Sequence, residues 1–341
     1  MSNLRVVYAG APYLDRMAAL QHGEVTPTGV DLDYLVIPHV GELFRRMAQH
    51  AEFEVSEMSM STLMLMTSQG DDRLVGIPVF PSRAFRHSQI YVHVDSGINR
   101  PEDLVGKNVG IPEYQMTAAL WIRAFLSHDY SVTPDAVKWW TGGLKTPAYS
   151  ERRHHDLPDG VSLQRIPEDK TLEQMLENGE IAALATAHAP DPFRAGSPNI
   201  RRLFEDYRSV EEDYFDRTGF FPIMHTVVLR RDVYESNPWM VVSLLDAFEE
   251  SKRQSNARLT DLDTLAVNHP WIAAELDGVV QRFGGDPFTY GFEANHAIVE
   301  AMTQYSYEQG LSTTKLDPQQ LFAPEALSWH PGPDVLTAQR S

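Results

Sequence analysis

Strand-like and helix-like stretches take turns along the opening of the chain, and this alternation restricts the fold more than any other feature. "LRVVYAG" is a short apolar strand, "YLDRMAALQHG" has the spacing of a helix ending at Gly23, and "VDLDYLVIP" returns to the two-residue period of a strand. "VGELFRRMAQH" is again helical, with Leu43 and Met47 on one face. "FEVSEMSMSTLMLMTSQG" begins as a strand and turns into a helix near Ser59–Thr62, and "RLVGIPVF" reads as a further buried strand. Strands joined through helices lie parallel, with helices on both faces of their sheet. The expected class is α/β.

The pattern continues. "PEDL" reads as a helical turn, "KNVGI" as a strand, and Pro112 leads into a helix whose apolar face holds Met116, Ala119, Leu120, Ile122 and Phe125. "KTLEQMLENGEIAALATA" is a helix, a turn and a strand, "APDPFRAGSPN" a loop, and "IMHTVVLRR" a strand. Asn237 and Pro238 form an N-cap and a first helical position for a long amphipathic helix. A chain of 341 residues exceeds what one core usually serves, so two domains are expected. Two apolar crossings, "SQIYVHV" and "FPIMHTVV", flank a self-contained α/β stretch. The expected division is therefore 1–92 with 222–341 as one lobe and 93–221 as the other.

Composition narrows the partners. The net charge is −18 with no block rich in Lys or Arg, which argues against nucleic acid and anionic membrane surfaces. An anionic ligand must then be met by a few arginines acting against the field of the whole chain. No cysteine is present, so disulfides, thiolate nucleophiles and Cys-based metal sites are excluded. "MSNLRVVYAG" enters a strand directly, without the basic and apolar regions of a secretory signal, and no apolar run approaches the roughly 18 residues of a membrane span. A cytoplasmic protein is expected; a homo-oligomer is left open.

Five strings, "FEVSEMSMST", "IPVFPSRAFRHSQIYV", "VGIPEYQMTAALWIR", "WWTGG" and "FPIMHTVVLRRDVYESNPW", stand in order between about residue 30 and residue 255. In this order and spacing the chain resembles the 4,5-dihydroxyphthalate decarboxylase family. That resemblance implies a two-lobed, type II periplasmic-binding-protein-like fold with the ligand in a cleft between lobes. It also implies a small aromatic dicarboxylate as substrate and no cofactor. A solute-binding protein using the same fold without catalysis is the alternative. A third reading, a relative of the thiamine-pyrimidine synthases, is opposed by the absence of their Cys-rich motif. The pair His154–His155 in "KTPAYSERRHHDLPDG" lies outside the resemblance.

Direct loss of CO2 from an aromatic ring leaves an anion that the ring cannot delocalise. Protonating the carbon that bears the carboxylate avoids this, and a hydroxyl para to it makes the ring electron-rich enough to accept the proton. Such a site needs a cation for carboxylate, a proton donor near the ring and an acceptor for the phenol. Arg83 and Arg86 are the candidate clamps, against the reading of both as surface ion-pair partners. Extended backbone would put Arg83 and His87 on one face, whereas a turn would bring all three together. His87, His188 and His225 each stand beside an expected strand end and are candidate acids or bases, the alternative for each being a hydrogen-bonded core histidine; His188, at a strand end followed by an Ala-Pro loop, is the first choice as proton donor, ahead of His225 and His87. Glu113 is a candidate phenol acceptor or orienter of a histidine, or simply a helix-dipole partner. Ser59, Ser61 and Thr117 stand at helix starts that suit a carboxylate or serve as plain caps. Trp139 and Trp140 either stack on an aromatic ligand or pack the core. His87, His188, His225 and Glu113 lack a metal-ligand spacing such as H-E-x-x-H, so no metal is expected.

Overall fold

A computed structural model describes residues 3–147, 152–153, 156–261, 263 and 265–338. The chain divides into two compact units. The first comprises Met1–Arg83, Ile223–Glu300 and Asp317–Ser341, the second Ala84–Pro222 and Ala301–Leu316.

Strands are numbered β1 to β11 in chain order. The first unit holds β1 (Leu4–Gly10), β2 (Val30–Val36), β3 (Val55–Ser59), β4 (Leu74–Arg83) and β11 (Ile223–Arg230). Their order in the sheet is β2-β1-β3-β11-β4. β1 runs parallel to β2 and β3, while β11 is antiparallel to both β3 and β4. The helix Val40–His50 buries Leu43, Phe44, Met47 and Ala48, as its period requires. The helix Met60–Ser68 is buried from Met60 to Met66, including Ser61 and Thr62, so it has no solvent-facing stripe over those turns. The helix Met240–Thr260 buries Met240, Val241, Leu244, Leu245, Phe248, Lys252 and Ser255 along one stripe. Gly76 in β4 permits a close approach: a Cβ there would lie 2.5 Å from the Leu321 carbonyl oxygen.

The second unit holds β5 (Ile90–His93), β6 (Asn108–Ile111), β7 (Lys138–Thr141), β8 (Ser162–Arg165), β9 (Ala183–Ala185) and β10 (Ile200–Arg202), in the order β10-β5-β9-β6-β7-β8. β9, β6, β7 and β8 are parallel, and β5 is antiparallel to both its neighbours. Tyr91, Leu172, Met175, Leu176, Ile181, Leu184 and Ile200 form one core cluster. The helix Thr117–Tyr130 buries an unbroken run from Thr117 to Leu126.

Two expected boundaries need correction. Residues 84–92 belong to the second unit, because β5 pairs with β9 and β10 in the second sheet. The segment Ala301–Leu316, expected in the other lobe, also belongs there; its Gln309 side chain takes a hydrogen bond from Arg123 Nε at 2.8 Å and donates to the Leu120 carbonyl at 3.0 Å. The expected loop "APDPFRAGSPN" contains the short helix Asp191–Arg194. Among the described residues no helix is long and apolar enough to cross a membrane.

Candidate functional site

The first unit brings a set of polar side chains together at the end of its central strands. β3 passes directly into the helix Met60–Ser68, and β11 lies beside it with His225 opposite Ser59 on one side and Ser82 of β4 on the other. The β11–β4 register shifts on both sides of His225. Irregularities of this kind bend a strand and re-aim the side chain at the bulge.

His225 Nδ1 lies 2.5 Å from Glu57 Oε1. Tyr13, on the loop after β1, donates from its hydroxyl to the same oxygen at 2.6 Å, and its oxygen is 3.3 Å from His225 Nδ1. The other carboxylate oxygen, Oε2, accepts the backbone N–H of Ala11 at 2.9 Å. Since an acceptor faces Nδ1, that nitrogen carries a proton and Nε2 is the atom left to exchange one. The edge of Phe44 packs on the imidazole with ring centres 4.7 Å apart.

Glu57 is fully buried while the His225 side chain is 15 % exposed. Burial would raise the Glu57 carboxyl, but the hydrogen bond and charge of His225, then the Tyr13 hydroxyl and Ala11 N–H, outweigh it and hold the group below its ordinary value. Burial first, then the Glu57 carboxylate, pushes the Tyr13 phenol well above its ordinary value, so it stays a donor; Ser82 hydrogen-bonds to it. The arrangement is a buried anion, an imidazole oriented by it, and a neutral phenol as second donor.

Ser59 and Ser61 sit beside this group with their hydroxyl oxygens 3.2 Å apart, both buried. Ser59 occupies the N-cap position of the helix Met60–Ser68 without a side-chain cap bond. Arg83, the last residue of β4, turns to its own unit. It donates from Nη2 to the Thr289 carbonyl at 3.0 Å and to Asn295 Oδ1, and burial lowers its pKa to about 10. These bonds tie one end of the guanidinium to the 289–295 loop.

The other expected residues lie in the second unit. β4 ends at Arg83, and a 3-10 turn covers His87–Gln89. Arg86 donates from Nη1 to the Ala187 carbonyl at 3.3 Å, and burial lowers it to about 10. His87 is 2 % exposed and stacks on Phe125 at 4.0 Å with an 18° tilt, with Phe204 and Tyr214 around it. Burial, with a smaller contribution from Arg217, lowers its pKa to about 3, which favours the alternative of a neutral core ring over an acid or base at His87. His188 is exposed on the loop after β9. Glu113 precedes the helix Thr117–Tyr130 and is held by Arg152, whose Nε donates to Oε2 at 2.7 Å. Thr117 is buried in the first turn. Trp139 is a core residue whose Nε1 donates to the Pro134 carbonyl, and Trp140 is half-buried. His154 and His155 lie outside the described residues. Among those described, no three His, Asp or Glu side chains are grouped to share a metal ion.

Sequence reasoning missed Glu57, Tyr13 and Arg152. Glu57 carried a legible signal, an acidic residue inside a strand otherwise made of Val55, Ser56, Met58 and Ser59. Tyr13 carried none, because it reaches Glu57 across 44 residues of chain.

No family model matches the chain. A 4,5-dihydroxyphthalate decarboxylase of Comamonas testosteroni is 38% identical over 327 residues, which are 96% of this chain and 98% of that protein. A protein of the same name from Pseudomonas putida is 36% identical over 215 residues, 63% of this chain and 83% of that one. Among solved structures, the periplasmic aliphatic sulphonate binding protein of Escherichia coli gives a TM-score of 0.53 at 16% identity, covering 96% of this chain and 100% of that one. The ligand binding component of an ABC-type import system from Staphylococcus aureus gives 0.55 at 11% identity, covering 96% and 99%. These likenesses show the fold, a two-sheet α/β architecture of the type II periplasmic-binding-protein kind. Identity of 38% carried over nearly the full length of both chains shows more: the protein belongs to the 4,5-dihydroxyphthalate decarboxylase family.

Proposed function

We propose that the chain catalyses the non-oxidative decarboxylation of 4,5-dihydroxyphthalate to 3,4-dihydroxybenzoate and CO2. The observation that carries this reading is the near full-length identity to a decarboxylase of that name. The chemistry it requires fits His225 as the proton donor. Protonation from Nε2 at the carbon bearing a carboxylate breaks the aromaticity of the ring, helped by electron release from the hydroxyl para to it. The bond to the carboxylate then breaks, its electron pair restores the ring, and CO2 leaves with hydrogen in its place. Ser59, Ser61 and the start of the helix Met60–Ser68 supply donors for a carboxylate of the substrate. Arg83, Arg86, Thr117 and Glu113 remain proposed substrate-binding or catalytic groups. His188 ranks behind His225 as acid, because an exposed imidazole shares its proton with water.

The decarboxylase reading carries with it the expected cytoplasmic setting and a small aromatic dicarboxylate as partner. The test is incubation of the purified protein with 4,5-dihydroxyphthalate in D2O, with and without a chelator. Expected are one CO2 per 3,4-dihydroxybenzoate and deuterium at the vacated ring position. Tight binding without turnover would instead assign a solute-binding role.

A further inference from the structure

We propose that Glu57 and Tyr13 are positioning residues that set the tautomer and the acidity of His225, with Tyr13 moderating the Glu57–His225 bond. This rests on the reading of His225 as the proton donor. Both Tyr13 Oη and His225 Nδ1 address one atom, Glu57 Oε1, at 2.6 and 2.5 Å. Two donors on one carboxylate oxygen each draw on the same electron density, so the phenol weakens that oxygen as a partner for an imidazolium. The Ala11 N–H on Oε2 keeps the carboxylate from rotating to offer its second oxygen. Glu57 thereby locks the proton on Nδ1, and Tyr13 limits how strongly the imidazolium form is favoured. An acid held too firmly in its protonated form delivers its proton poorly, and the second donor counters that.

Charged and titratable groups surround the Glu57–Tyr13–His225 cluster from several elements. Glu57 lies on β3, Tyr13 and Arg16 on the loop after β1, and Tyr8 and Tyr34 on β1 and β2 behind Glu57. Arg16 is anchored by the Pro81 carbonyl at 2.8 Å and stands 4.9 Å over the Tyr13 ring. Arg83 on β4 is engaged by Thr289 and Asn295. The helix Val40–His50 contributes the Phe44 ring. Of these, the two that bond to the carboxylate or are the carboxylate can be changed with least loss of volume.

The experiment is an NMR titration of the imidazole Cε1–H of His225 in the substrate-free protein, assigned by its disappearance in His225→Asn. In Tyr13→Phe the carboxylate loses a competitor, and the His225 midpoint is expected to rise by about half a unit. In Glu57→Gln the anion is gone, and the midpoint is expected to fall by about one unit or more. The alkaline limb of the turnover profile should move the same two ways. Shifts of the same sign, or a midpoint that stays within about 0.2 units in Tyr13→Phe, would overturn the proposal, since a merely structural network alters stability without opposed titrations. Should Glu57→Gln fail to fold, Tyr13→Phe decides alone. The titration needs no substrate, so a protein inactive on 4,5-dihydroxyphthalate would sink the decarboxylase reading and leave the His225 result standing apart.

Discussion

His225 and His87 are both largely withdrawn from water, yet their neighbours give them opposite chemistry. A carboxylate faces Nδ1 of His225, whereas the rings of Phe125 and Phe204 pack around His87. His225→Asn is therefore expected to lower turnover about 10²–10⁴-fold with substrate affinity largely kept, while His188→Asn stays within about tenfold of the parent. Steady-state kinetics paired with calorimetric binding reads both. His87 is expected to show itself in stability. Its pKa is depressed from the ordinary histidine value to about 3, so above about 6.5 both folded and unfolded forms are neutral and nothing is lost. As pH falls from 6.5 toward 3 the unfolded chain takes up a proton that the folded chain refuses. The loss should reach roughly 2 kcal/mol at pH 5. Urea unfolding at pH 8 and pH 5 checks this: His87→Phe should lose less stability than the parent over that interval by about that amount, and parallel losses would refute it.

Elements were legible where a local period decides them and obscure where a distant partner does. The strands "LRVVYAG", "VDLDYLV", "LVGIPVF" and "IMHTVVLR" and the helix Val40–His50 fall where their periods put them. The helix expected from Pro112 begins only at Thr117, and the one expected from Pro238 begins at Met240. Proline marks a helix start only loosely. The three-residue strands β9 and β10 bracket a helix inside a Pro- and Gly-rich loop that local composition alone made irregular. Of the candidate site, His225 draws notice beside an expected strand end and Ser59 and Ser61 at an expected helix start, both local signals. Tyr13 does not, because nothing local ties it to Glu57. Close packing between elements yields a further expectation at two glycines. A Cβ on Gly76 meets the backbone oxygen of Leu321, which cannot move away, whereas one on Gly110 meets the ends of Ile181 and Leu172, at 2.7 and 2.9 Å. Gly76→Ala should cost about 2–3 kcal/mol and Gly110→Ala about 1 kcal/mol or less, with equal losses in chemical denaturation counting against this account.

For the molecule as a whole, a net charge of −18 opposes the approach of any dianion. Raising ionic strength from about 20 to about 200 mM should screen that repulsion and increase kcat/KM for 4,5-dihydroxyphthalate a few-fold, measured by initial rates. A decrease would mean that local cations, not the overall field, govern capture. The placement of β11 between β3 and β4 has a consequence for synthesis. A ribosome that has made β1 to β4 has made all of the first sheet except the strand that joins its two parts. The six strands of the second sheet all emerge before β11 begins at Ile223, so the sheet begun first is finished last. Until then β3 and β4 present bare edges, and Glu57 has no imidazole to hold. A nascent chain released before that point carries an open half-sheet that can pair with another such chain.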